Sequence, residues 1–129
     1  WTEEPSETAF REVTFRKDGL EMYVSTGKGN AVDNITRWAG QMSQPPLDLA
    51  AVEALEKVQM MGLPTYIYET VGAFRGMGQA GGVPGQRMLA AIAAYEGKTV
   101  TVKLVGEDAA VQAAKPAFLQ LIASLRPRP

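Results

Sequence analysis

The chain contains neither cysteine nor histidine. Without cysteine there is no thiol nucleophile, no thiolate metal site and no disulfide, and without histidine the commonest general base and transition-metal ligand are missing. Most hydrolase and zinc chemistry is thereby excluded. No basic block is present either, since 13 basic and 14 acidic residues are scattered to a net charge of −1, which disfavours nucleic-acid binding. Long hydrophobic runs are also absent. The longest nearly apolar stretch, Met88 to Tyr95, is far below the ~20 residues that span a bilayer. Lack of cysteine does not fix a compartment. The chain opens at Trp1 and not at methionine, and the expectation is that an upstream stretch, a signal peptide or lipid-anchor segment, preceded it.

What is present reads as a folded domain. Hydrophobic residues make up 46% and charged residues 21% of 129 positions, which suits a single compact unit over 1–129. Residues 1–8 read as a polar N-terminal arm. Phe10 to Phe15 reads as a strand, closed by a Lys17-Asp18-Gly19 turn, and Leu20 to Thr26 alternates Leu20, Met22 and Val24 with Glu21, Tyr23 and Ser25 as its half-buried partner.

A helix is expected from Asn30 to Met42. Asn30 suits the N-cap, Asp33 resembles a capping box, and Ile35, Trp38 and Met42 share one face beside a more polar one formed by Asn34, Arg37 and Gln41. Gly40 inside it hints at close approach to another backbone, Arg37 is placed to pair with Asp33, and Pro45-Pro46 ends it. Over Leu47 to Met61, Leu49, Val52, Leu55 and Glu56 fit a helix while Glu56 to Met60 can alternate as a strand, and the favoured reading is a loop feeding a strand around Leu55 to Met60. After a turn at Met61 to Thr65, Tyr66 to Val71 is the strongest strand, ended by Gly72.

Gly72 to Gly85 holds six of the 13 glycines and reads as a long mobile loop. Met88 to Tyr95 fits a helix or a central buried strand equally well. Glu96 to Lys98 is a tight turn before the β-branched strand Thr99 to Val105. Asp108 then caps a last helix with Val111, Ala114, Phe118, Leu121, Ile122 and Leu125 on one face and a kink or restart near Lys115, imposed by Pro116. The expected fold is α/β (α+β): an antiparallel sheet of five to six strands flanked by helices, in the order β-β-α-β-β-β-β-α.

Asn34-Ile-Thr-Arg-Trp38 with Gln41, the glycine loop closing on Gly85-Gln-Arg-Met-Leu89, the strand Thr99 to Gly106 and the final amphipathic helix together resemble an uncharacterised family of small bacterial secreted or lipid-anchored domains. Its architecture is similar to the PsbP and Mog fold. The resemblance implies an antiparallel sheet flanked by helices, a strand at Gln86 to Leu89 and an extracytoplasmic location, periplasmic or lipid-anchored. The two namesakes are a photosystem assembly and stabilising subunit and a Ran-binding protein, neither of them an enzyme, and no functional residue of either maps onto this chain.

No catalytic set, cofactor motif or metal-ligand spacing emerges from the residues. Arg75, Gln86 and Arg87 around the glycine loop, with Arg37 and Gln41 on the first helix, are the candidate binding residues. Arg75 and Arg87 flank the loop and could clamp an anionic group, while Arg37 beside Trp38 has the composition of an interface hot spot. Two rival chemistries remain. Gly76-Met-Gly78-Gln-Ala-Gly81 matches GxGxxG, a phosphate- or nucleotide-binding pattern that needs a helix directly after it. Glu53, Glu56, Glu69 and Glu96 could supply a carboxylate pair for hydrolysis, although no spacing joins two of them. The expected function is a non-catalytic protein-binding or assembly module in the cell envelope, contacting its partner through the glycine loop and the nearby sheet edge.

Overall fold

The structure is a computed structural model that describes residues 2–5, 11–17, 20–75 and 83–125. It is an α/β domain built on one seven-stranded antiparallel sheet. The strands are β1 (Thr2–Pro5), β2 (Arg11–Lys17), β3 (Leu20–Lys28), β4 (Lys57–Met60), β5 (Leu63–Phe74), β6 (Val83–Tyr95) and β7 (Lys98–Glu107), and the helices are α1 (Ala31–Gln41), α2 (Leu49–Glu53) and α3 (Asp108–Ser124). In space the strands run β1-β2-β3-β7-β6-β5-β4.

The period-two pattern sorts side chains onto two faces. Leu20, Met22 and Val24 of β3, Val102 and Leu104 of β7, and Leu89, Ala91 and Ala93 of β6 pack against Val111, Ala114, Phe118 and Ile122 of α3. The opposite face carries Met88, Ala90 and Ile92 of β6 and Tyr68 of β5 beneath Ile35, Trp38, Ala39 and Met42 of α1 and its extension, with Val52 of α2. Residues 88–93 are therefore buried on both sides. That resolves the ambiguity of Met88 to Tyr95 as strand: a central strand covered twice needs no polar alternation, so its sequence looks like a buried helix.

Two of the hairpins close on two-residue turns. Met61 and Gly62 join β4 to β5, and Glu96 and Gly97 join β6 to β7, all four with positive φ. This is the geometry that matches the right-handed twist of the flanking strands.

Several elements depart from expectation. The sheet has seven strands where five or six are expected, because Thr2–Pro5, within the N-terminal arm, pairs with β2 from Thr2↔Arg16 to Pro5↔Val13. Leu49–Glu53 is a short helix where a loop is expected, with the Asp48 side chain accepting from the Ala51 N–H. β5 does not stop at Gly72 but continues to Phe74, and β6 begins at Val83, so strand pairing takes both ends of the expected glycine loop. Gly76 to Gly81 lies outside the described residues, as do Phe10 and the Asp18-Gly19 turn.

The helix termini are equally informative. Asn30 caps α1 as its residue type predicts, its side chain accepting from the Asp33 N–H at 2.8 Å. Asp108, in contrast, lies inside α3, and Glu107 holds the N-cap position with no side-chain hydrogen bond. α3 also runs unbroken through Pro116 with no restart at Lys115; Gln112 and Pro116 are both exposed, so the forfeited bond lies on the helix's outer side. Among the described residues no helix is long and apolar enough to cross a membrane.

Candidate functional site

α1 crosses the sheet and ends against β5, and the contact is made by backbone. A β-carbon built on Gly72 would overlap the Met42 carbonyl, so only glycine allows this approach. Gly40, the residue expected to sit against another backbone, has nothing within 4 Å of its would-be β-carbon. The close approach is real but belongs to the strand's glycine, not the helix's. Around Gly72 the chain after α1 hydrogen-bonds to the outer edge of β5: Ser43 Oγ donates to the Ala73 carbonyl at 2.8 Å, Gln44 Nε2 to the Val71 carbonyl at 2.7 Å, and the Arg75 N–H to the Gln41 carbonyl at 2.6 Å.

Alongside this brace the β5–β6 pair becomes a two-stranded ribbon. β7 ends at Glu107, opposite Gln86, whereas β6 still pairs with β5 at Phe74↔Val83. Val83, 44% exposed, stands on it, and Val71, 37% exposed, lies just before it, opposite Arg87 where β7 still pairs. Of the expected binding residues, Gln86 is half-buried at the root of the ribbon between Gly72 and Glu107, and Arg75 is exposed just past the end of β5.

Arg87 has a different environment. On the α3 side of the sheet its Nε donates to Asp108 Oδ1 at 2.6 Å and one terminal nitrogen to Glu69 Oε2 at 2.6 Å; Lys115 Nζ reaches Glu69 Oε1 at 2.8 Å, and Gln112 Nε2 supports Asp108 Oδ1 at 2.9 Å. Four side chains from β5, β6 and α3 thus form a network of two cations and two anions. Its electrostatics follow from geometry. Burial works to raise the Glu69 carboxyl, but Lys115 and Arg87 outweigh it and hold it below its ordinary value. The Arg87 guanidinium, helped by the Gln112 amide, holds Asp108 low, and Asp108 in turn raises Arg87. Among the described residues the Arg87 guanidinium is committed to two carboxylates, and the Arg75 backbone is tied to α1.

Gln41, on the polar side of α1, reaches β7. Gln41 Oε1 accepts from Lys103 Nζ at 2.6 Å, and the same ammonium stands 5.4 Å from the centre of the Trp38 ring. Lys103 is only 6% exposed, an unusual burial for lysine that requires such partners. Arg37 is exposed and donates to Asn34 Oδ1 at 2.9 Å, not to Asp33. Gln41 and Trp38 are thus joined through a residue that sequence reasoning did not single out. The signal was present in β7, where Thr99, Thr101 and Lys103 alternate with Val100, Val102 and Leu104, a polar stripe inside a strand whose β-branched content draws attention first.

Among the described residues the rival chemistries gain no assembled site. The segment after the GxGxxG match is β6, paired with β5 from Val83 and with β7 from Gln86, so the place of the helix N-terminus that would meet a phosphate is taken by a strand. Glu53 lies in α2, Glu56 precedes β4, Glu96 forms a turn and Glu69 is held by two cations. Among the described residues no three metal-ligating side chains converge. Compared with known proteins, the chain matches no family model, no curated protein and no solved structure.

Proposed function

We propose that this domain is a non-catalytic protein-binding or assembly module that works outside the cytoplasm and docks its partner on the β5–β6 ribbon and the sheet edge beside it. The observation that carries this reading is the ribbon itself. It runs past the end of β7, shows exposed Val83 with exposed Val71 at its base, and is fixed along its β5 arm by the Gly72–Met42 contact and three hydrogen bonds to the end of α1 and the residues after it. A platform held in one conformation before binding loses less entropy on association. Charge supports a protein partner over a nucleic acid, with a net charge of −1 and no basic block. The extracytoplasmic setting rests on the resemblance of Asn34 to Gln41, Gly85 to Leu89 and the last strand and helix to secreted and lipid-anchored domains.

The test compares wild type with an Arg75→Glu, Val83→Lys double variant, each immobilised and exposed to detergent-solubilised bacterial envelope. Neither substitution touches the core, so the melting temperature should hold. Partner recovery should fall at least about tenfold, equivalent to about 1.4 kcal/mol of binding. Equal recovery by the two proteins would reject the ribbon as the docking surface.

A further inference from the structure

The outer edge of β5 is satisfied at both ends and open between them. Antiparallel strands turn the N–H and carbonyl of alternate residues to the same side, and three bonds fix which residues face outward. The Ile67 N–H donates to the Glu56 carbonyl at 2.9 Å, and the Val71 and Ala73 carbonyls accept from Gln44 and Ser43. Glu69, between them, therefore also faces away from β6. β4 reaches back only to Lys57, opposite Tyr66. Among the described residues no hydrogen bond meets the Ile67 carbonyl, either backbone group of Glu69, or the Val71 N–H.

Two acceptors and two donors thus alternate over Ile67 to Val71, a span of roughly 13 Å. A phosphate or carboxylate offers acceptors alone and a metal ion neither; an extended backbone offers both at this spacing. Length selects further. Glu56 bounds the gap at one end and Gln44 at the other, so a strand as long as a second copy's 12-residue β5 does not fit, whereas a short extended segment does.

The edge also lacks the devices that blunt unwanted pairing. The sheet's two outermost strands are four residues each, β1 ending at Pro5 and β4 beginning with Lys57. Ile67-Tyr-Glu-Thr-Val71 has no proline and no lysine. Its one charge, Glu69, is turned toward Arg87 and Lys115.

We infer that Ile67–Val71 is a strand-addition site that takes about three residues of a partner's extended chain, the residue facing Glu69 exchanging both backbone hydrogen bonds with it. Val71 supplies a cross-strand apolar contact. This inference rests on the docking reading above and names the chemistry of the partner: a short extended peptide segment, unstructured when free, with an apolar β-branched side chain to meet Val71.

The experiment uses the whole 15N-labelled domain and the probe acetyl-Thr-Val-Thr-Val-Thr-amide, with the same peptide N-methylated on its backbone as control. In the free protein the Glu69 and Val71 amides should exchange with solvent at least about tenfold faster than those of Tyr68 and Thr70, which face β6; equal protection would overturn the open edge. Probe at millimolar concentration should shift the Glu69 and Val71 amides while the N-methylated peptide does not. No shift, or equal shifts from both peptides, would overturn strand addition. Val71→Pro removes the outward N–H and spares the ladder to β6, so it should abolish the shifts that Val71→Ala retains. Should Val71→Pro fail to fold, the exchange and N-methylation results decide alone. Envelope capture that needs Arg75 and Val83 but survives Val71→Pro would keep the ribbon as the docking surface and sink strand addition.

Discussion

Gly72 lies against the Met42 carbonyl so closely that no β-carbon fits between them. The end of the first helix is therefore set against β5 by the absence of a side chain, and the braced ribbon depends on it. Gly72→Ala should destabilise the domain by about 1–3 kcal/mol through overpacking against backbone. Gly40→Ala, at an exposed helical position with open space around it, should stabilise it by about 0.5–1 kcal/mol. Urea denaturation of the two variants beside wild type checks both signs; the reverse order would mean that the helix and strand do not meet at Gly72.

Lys103 is the second residue whose replacement should be felt. Lys103→Met keeps much of the stem's volume but leaves Gln41 Oε1 without its donor and takes the cation from the Trp38 ring. A loss of about 1–3 kcal/mol is expected. In a Trp1→Phe background, the emission of the remaining tryptophan, Trp38, should also shift. A variant as stable as wild type with an unchanged spectrum would show that Lys103 does not lie under the helix.

Acid should weaken the docking of α3. Glu69 and Asp108 are both held below their ordinary values, so the stability they contribute is complete above the unfolded-chain values near 4 and is lost as pH falls through their lower folded values. Melting temperatures recorded from pH 7 to pH 2 should show a steeper acid limb for wild type than for the Glu69→Gln, Asp108→Asn double variant. Parallel curves would exclude the network as a source of acid sensitivity.

Asn30 should repay a simple deletion test. Its side chain accepts from the Asp33 N–H and its amide donates to Asp33 Oδ2 at 3.0 Å. Asn30→Ala should cost about 1 kcal/mol, and Asn30→Asp, which keeps the acceptor, much less. Thermal melts distinguish the two.

The local elements were legible where one physical signal acted alone. Asn30 and the Ile35, Trp38, Met42 spacing mark α1, and the alternation Leu20, Met22, Val24 marks β3. Legibility failed where two causes overlapped. Met88 to Ala93 is buried from both sides, which erases the polar alternation of a strand. Thr2–Pro5 gains its strand conformation from β2 and not from its own composition. Arg87 looks available in the sequence because Glu69, Asp108 and Lys115, its network, lie 18, 21 and 28 positions away, as the numbering itself gives. Gly40 and Gly72 are alike as letters, and only the path of α1 over β5 shows which one is pressed against another backbone.

The strand order carries a consequence for how the chain is made. β4 to β7 form successive neighbours, so that half of the sheet can assemble from local hairpins. β3, however, joins it only through β7, pairing Lys28 with Lys98 and Glu21 with Val105. A nascent N-terminal hairpin must therefore wait, with its apolar side unsheltered, while about seventy further residues are synthesised. Such long-range closure is slow, and the waiting hairpin is the species that a chaperone would have to guard.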